Sequence, residues 1–379
     1  MDITKSLENL KNYIEKEDFK GYDPYDALNS PILNFFLFNH KYPRIVFMQA
    51  LKRLPVNLRP FFGIKKDYNP KGLGLFLWGY AKLFKIQNKS EYLDKIHLLL
   101  GLLDRFKSKG YSGNCWGYNF DWQSRAFFVP KYTPTIVGSS FIGHALIDTY
   151  RYAGIEKALD MAVSIKDFIL NDLNRTEFKD TFCFSYTPID KTIVHNANLL
   201  GASLLIRLYG YTRDEALKDA ALASLEYSML HQKKDGSWLY ANTQYQKWID
   251  SFHTGFNLQC IRYFFEEGFA EGHIEGFEKG VKFYKDNFFL ENGLPKYYHD
   301  RVYPIDIHSP AQAIVFFSKQ GKSYKEFTEK ITAWMIKNMQ DEEGFFYFQI
   351  HKRYKNRIPY MRWGQAWAFH ALTSFLLHK

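Results

Sequence analysis

Residues 235–260, DGSWLYANTQYQKWIDSFHTGFNLQC, carry the plan on which most of the chain is built. A Gly turn leads into aromatic residues at alternating positions, the pattern of a short strand. A polar junction with Ile249, Asp250 and His253 follows, and then an apolar run whose spacing suits a buried helix.

Working outward from this stretch, similar apolar helices begin near Leu73, Thr135, Asn196, Thr254, Pro310 and Gly364. Their intervals of roughly 55–62 residues are the fixed period of a repeat architecture. Between them, segments 91–108, 155–172, 213–232, 277–288 and 324–339 place apolar residues at three- and four-residue steps with Lys and Glu opposite. One face of each is therefore buried and the other wet. Segment 44–54 is expected to supply the sixth such helix, paired with 72–84.

Six helices buried all round, alternating with six buried on one face, are what two concentric rings require. The expected fold is an all-α (α/α)6 toroid with short aromatic hairpins at one mouth. Residues 1–379 read as a single toroid domain, with 1–40 a helical lead-in packed on the ring, because no Gly-, Ser- or Pro-rich linker marks a second unit. The competing architecture is an open solenoid of two-helix repeats, whose units are shorter, about 34–47 residues.

Aromatic residues make up 18% of the chain, with 35 Phe, 27 Tyr and 8 Trp, a supply that suits both cores and flat ligand faces such as sugar rings. The formal charge is +10, but Lys and Arg are scattered among Asp and Glu with no nucleic-acid motif, so nucleic acid is not an expected partner. A solvated basic surface explains the excess, and so does an anionic glycan substrate. Three cysteines without a CxxC pair point to reduced thiols and a cytoplasmic protein. The first residues read as a charged amphipathic helix, not a secretory signal. No apolar run reaches the roughly 18 residues of a membrane span, which leaves only peripheral membrane contact open. There is no Gly-rich phosphate loop. Asp250, His253 and Cys260 come without a second Cys or an HExxH spacing. No cofactor and no metal are expected.

Three junctions share a spelling: Ile189-Asp190 before His195, Ile249-Asp250 before His253, and Ile305-Asp306 before His308. The repeat is expected to bring all three to one mouth, where His and carboxylate could serve as acids and bases. An Asp before a helix is equally an ordinary N-cap. Hairpin 113–140 departs from the plan, with Trp116, Tyr118, Asp121, Trp122 and Arg125 suited either to sugar stacking and hydroxyl binding or to an aromatic minicore. In the last junction Arg362 could hold a carboxylate or phosphate bidentately, beside Trp363. Tyr360 could donate a proton if a neighbouring cation lowers its pKa, and a structural cation–π pair fits as well.

The catalytic candidates are therefore Asp121, Asp250 and His253, with Tyr240, Tyr298 and Tyr360 as proton carriers. Trp116, Tyr118, Trp122, Trp238 and Trp363 are candidate walls. Arg125, His195, Asn196, Tyr298, Asp306, His308 and Arg362 are candidate polar contacts.

The segments GNCWGYNFDWQSR and TPTIVGSSF, with GYDPYDALNSP and NLRPFFGI, resemble the VpsJ-type toroid proteins of bacterial capsule and exopolysaccharide gene clusters. That resemblance implies a role in surface-polysaccharide assembly. More distantly, DGSWLYANTQYQKWIDSFHTGFNLQ is similar to the C-terminal toroid of glucuronyl C5-epimerases, where a Gly-Trp-Tyr hairpin precedes an inner helix starting with His. The similarity carries over to Tyr240 and His253. The expected function is that of a carbohydrate-active enzyme acting on an acidic or lipid-linked sugar by epimerase, lyase or hydrolase chemistry. The alternative is a non-catalytic glycan-binding or assembly protein.

Overall fold

The computed structural model describes residues 2–37, 40–123, 128–242 and 246–379. The chain opens with α1 (Ile3–Lys16), α2 (Pro31–Leu37) and α3 (Lys41–Arg53), and continues with α4 (Pro70–Gln87), α5 (Ser90–Arg105) and α6 (Ile136–Ala153). Next come α7 (Glu156–Val163) and α8 (Ile165–Asp167), drawn out by a π turn at Phe168–Asp172, and then α9 (His195–Thr212) and α10 (Glu215–Leu230). The last third holds α11 (Ser251–Glu266), α12 (Ile274–Phe288), α13 (His308–Phe317), α14 (Lys325–Met339) and, after a π turn at Met361–Gln365, α15 (Ala366–His378).

Helices α4, α6, α9, α11, α13 and α15 pack each against the next, and α15 returns to α4, so the inner ring is closed. The fold is an (α/α)6 toroid. Small residues set the spacing of this ring. A Cβ on Gly79 would lie 2.4 Å from the Phe369 ring, and one on Gly201 would lie 2.3 Å from Ile136.

The sixth outer helix is α1, not the expected segment 44–54. Its stripe Leu7, Leu10 and Ile14 is buried in the main core. Burying such side chains contributes roughly 2 kcal/mol each. Two amides show the equivalence. Gln232 Nε2 donates to the carbonyls of Gly236 (2.9 Å) and of Gly276 on the following outer helix (2.8 Å). Gln340 Nε2 does the same to Gly344 (2.9 Å) and to Ser6 on α1 (2.9 Å). The turn glycines take φ of +87° at Gly236 and +97° at Gly344, and each presses on the next outer helix, where a Cβ would meet backbone at 2.4 Å. Part of the expected lead-in 1–40 is thus a ring member. Helix α3 instead sits over the mouth, burying Met48 and Leu51 in a satellite core with Ala27, Leu28, Leu33 and Ile64.

The hairpins are sparser than the alternation implies. Strands β1 (Trp122–Gln123) and β2 (Phe128–Val129) pair, as do β3 (Arg175–Phe178) and β4 (Thr181–Phe184). A three-stranded sheet of β5 (Ile305–Asp306), β6 (Gln349–Ile350) and β7 (Lys355–Asn356) completes the set. The 235–250 stretch forms no strand among the described residues, only isolated bridges such as Val194 with Ala241 and Asp250 with Tyr298.

Candidate functional site

A cavity of about 330 Å³ opens where the inner helices begin. That volume lies within the range of small-ligand pockets. Its wall is mostly aromatic, with Tyr118 and Trp122 from one hairpin, Tyr240 and Trp248 from another, and Tyr297, Tyr298, Phe252 and Trp363 from the following repeats. Tyr25, Lys52, Tyr186, Gln246, His253 and Arg362 add polar groups to the lining.

Asp250 is the N-cap of α11, and its Oδ1 accepts the His253 backbone N–H at 3.0 Å. Its Oδ2 meets His253 Nδ1 at 2.7 Å and accepts the Trp248 indole N–H at 2.9 Å. A buried carboxylate at Nδ1 holds the proton on that nitrogen and leaves Nε2 as the lone-pair nitrogen. The Asp250 side chain is fully buried, whereas His253 keeps 20% exposure and lines the cavity. Asp250 is thus both cap and orienting partner, and His253 is a candidate base. Tyr240 packs against His253 at 4.6 Å and stacks on Trp248 at 4.6 Å. Burial raises the Tyr240 phenol above its ordinary pKa, and the Asp250 charge adds to this, so it stands as a protonated donor. Burial does the same to Tyr186, Tyr297 and Tyr298.

The structure separates the other candidates. Arg362 lines the cavity, but Asp23 already holds it bidentately, with Nε to Oδ2 at 2.5 Å and Nη2 to Oδ1 at 2.7 Å. Its pKa is raised by that carboxylate, which outweighs burial. Tyr118, Trp122, Tyr298 and Trp363 reach the cavity. Asp121 does not line it, and its Oδ1 accepts the Lys131 backbone N–H at 2.7 Å. Arg125 lies outside the described residues.

Trp116 is fully buried and its indole donates to the Leu103 carbonyl at 2.8 Å. Trp238 is its repeat counterpart, donating to Ser228 O at 2.9 Å. Both pin a hairpin to the end of an outer helix, away from the cavity wall. Trp238 and Asn196 border a space of about 10 Å³ behind the dyad, room for one water.

The three junctions do not converge. Asp190 binds Thr187 and Thr192 within its own loop. His195 is buried beside His231, and burial pushes its pKa down to about 4. Asp306 is buried and accepts from Gln349 Nε2 (2.6 Å) and from the Trp363 indole (2.9 Å). His308 is 1% exposed, stacks on Phe252 and packs at a tilt against Trp367, and burial drives its pKa well below the usual imidazole value. Tyr360 is 0% exposed and packs on Arg59 at 4.7 Å. The expected lowering of its pKa is reversed, because burial outweighs the cation.

Sequence reasoning missed Lys52 and Tyr25. Lys52 Nζ donates to Tyr25 Oη at 2.5 Å, and the ammonium sits 4.3 Å from that ring. Tyr25 lies in the GYDPYDALNSP loop, singled out for resemblance and not for chemistry. Lys52 lies on α3, expected in the outer ring and found over the mouth. Among the described residues no group of three His, Cys, Asp or Glu converges to hold a metal.

No family model matches the chain, and no curated protein matches its sequence. Solved structures do match its fold. Cellobiose 2-epimerase from Bacillus thermoamylovorans shares a TM-score of 0.65 at 14% identity, over 82% of this chain and 87% of that one. The GH76 α-mannanase of Bacteroides thetaiotaomicron gives 0.62 at 14%, over 81% and 85%. The unsaturated glucuronyl hydrolase of Streptococcus agalactiae gives 0.63 at 13%, over 98% and 90%. The likeness carries the toroid fold, and these neighbours are carbohydrate-processing enzymes.

Proposed function

We propose that the cavity binds an acidic sugar or glycan and transforms it by proton abstraction and return, with His253 as base and Asp250 as its positioning partner. Residues 1–379 act in this reading as one toroid unit. The observation that carries it is the Asp250–His253 pair, buried at the carboxylate and open at the imidazole. A base of this kind contributes typically 10²–10⁴-fold to a proton transfer.

The lining supports an anionic substrate. Among the described residues no Asp or Glu lines the cavity, while Lys52 and six phenols (Tyr25, Tyr118, Tyr186, Tyr240, Tyr297 and Tyr298) do. Donors outnumber acceptors, as suits a carboxylate or phosphate. Lys52 meets Tyr25 and the Trp363 ring and has no carboxylate partner among the described residues, so it is better placed than the Asp23-bound Arg362 to meet the anion. Hydrolysis with two carboxylates would need a facing pair roughly 5–9.5 Å apart, and the described lining offers none, which favours an epimerase or lyase. Tyr240, packed on His253, would donate its proton on the same side, to the leaving oxygen of an elimination.

The similarity to VpsJ-type proteins adds the setting. The substrate would be an intermediate of bacterial surface-polysaccharide assembly, handled in the cytoplasm. The test is to incubate the chain with acidic and neutral oligosaccharides in D₂O and follow deuterium entry and new double bonds by NMR. Exchange or elimination on an acidic sugar is expected, and its loss in His253→Gln. Tight binding without exchange or product would overturn the enzyme reading in favour of a glycan-binding protein.

A further inference from the structure

The charge of the chain is not evenly scattered throughout. Residues 31–66 contain seven Lys and Arg and no Asp or Glu. Among the described residues, the five most exposed large apolar side chains all fall in this stretch: Phe61 at 85%, Tyr42 at 75%, Phe35 at 70%, Val46 at 66% and Val56 at 62%. Elsewhere the highest is Ile189 at 54%.

Helix α3 explains the arrangement. Met48 and Leu51 face the satellite core. Tyr42, Val46 and Arg53 fall within an arc of about 40° on the opposite side, at 100° per residue. The helix is thus apolar on two faces, one of them turned outward and edged with cations. Arg59 is used up by Asp26, and Lys66 by Glu17. Lys41, Arg53 and Lys65 are exposed and have no carboxylate partner among the described residues.

Exposed aromatics beside unpaired cations, in a stretch that itself contains no acid, are the composition of an interfacial element. Phenyl and phenol rings lodge at headgroup depth while Lys and Arg bind anionic lipid. We propose that the described part of this stretch, through Tyr42, Val46, Val56 and Phe61 with Lys41, Arg53 and Lys65, docks the protein on an anionic phospholipid surface. The same helix carries Lys52 into the cavity wall. Docking would therefore set the cavity mouth at the membrane, where a lipid-linked acidic sugar is presented. Only this last step rests on the proposed function, because the docking rests on the surface alone.

The experiment is flotation of the full chain with two vesicle types, pure phosphatidylcholine and phosphatidylcholine with about 30% phosphatidylglycerol. Wild type is expected to float with the anionic vesicles at least about tenfold more than with the neutral ones, and less at high salt. Tyr42→Ser with Phe61→Ser, and separately Lys41→Glu with Arg53→Glu and Lys65→Glu, should each cut flotation about tenfold or more. These positions are exposed, so circular dichroism and melting should match wild type. Equal binding to both vesicles, no binding, or variants that float like wild type would overturn the proposal. So would a wild-type dimer that the serine variant dissolves without any vesicle binding, since a second copy would then own the patch. Deuterium exchange on a soluble acidic sugar, measured without vesicles, should be unchanged in both variants. If flotation holds and exchange is absent, the docking stands and the catalytic reading fails.

Discussion

At the start of α11, Asp250 and His253 stand three residues apart; at the start of α13, Asp306 and His308 stand two apart. Both carboxylates are buried, both take a backbone N–H of the His, and both hold a Trp indole at 2.9 Å. Three residues from an N-cap bring the side chain back over the cap, so the His253 ring meets the carboxylate. Asp306 instead ends β5 and Ile307 takes the cap position, so His308 opens α13 next to the cap and its ring does not fold back onto the carboxylate. His308 then points among Phe252, Trp363 and Trp367, with both ring nitrogens lacking partners among the described residues. The difference teaches that repeat spelling copies the fold, whereas one-residue register decides which copy can do chemistry.

The largest effect that would break this comparison is on turnover. His253→Gln should lower deuterium exchange by about 10³-fold, and His308→Gln by less than about tenfold, read as kcat/KM under identical conditions. Equal losses would erase the distinction. Next, Asp250→Asn keeps a capping side chain but no longer fixes the imidazole. It should cost about 10²-fold in rate, with a melting shift under about 1 kcal/mol. Asp306→Ala should do the reverse, losing roughly 3 kcal/mol by stranding Gln349, Trp363 and the His308 N–H. Denaturant titration of the two variants checks both.

Acid should act on the junctions whose His is buried. The folded pKa of His195 is about 4, below the ordinary 6.5, so the unfolded chain binds the extra proton. The neutral-His contribution is therefore present above pH 6.5 and lost as pH falls toward 4, by about 3 kcal/mol for this residue. Melting at pH 7 and pH 4.5 should show the drop, and His195→Gln should flatten it. The smallest effect is expected at the tyrosines. Tyr240→Phe should slow exchange by about tenfold, while Tyr360→Phe should leave kcat/KM within about twofold because it lies outside the cavity.

Much of the architecture was legible in the order of residues. The 235–260 plan, repeated with its Gly turns and apolar runs, leads to six inner helices and five of the six outer ones. The sixth was misassigned because α1 and α3 are both amphipathic, and a stripe does not say which core it faces. The site was legible in part. The Asp250–His253 pair, Tyr240, Tyr298, Tyr118, Trp122, Arg362 and Trp363 stood out and lie together. Trp116 and Trp238 stood out equally, yet they serve the hairpins. Lys52 and Tyr25 gave no local sign.

By itself, then, the sequence determined the ring, because hydrophobic period is a local property that each helix carries independently of its neighbours. Tertiary structure decided the site. A carboxylate such as Asp23 is 339 residues from the Arg362 it neutralises, and only folding brings the two to 2.5 Å. The same holds for burial, which sends the pKa of Tyr360 up where its sequence neighbours argued for down. Desolvation depends on everything packed around a group, and no stretch of residues contains that information.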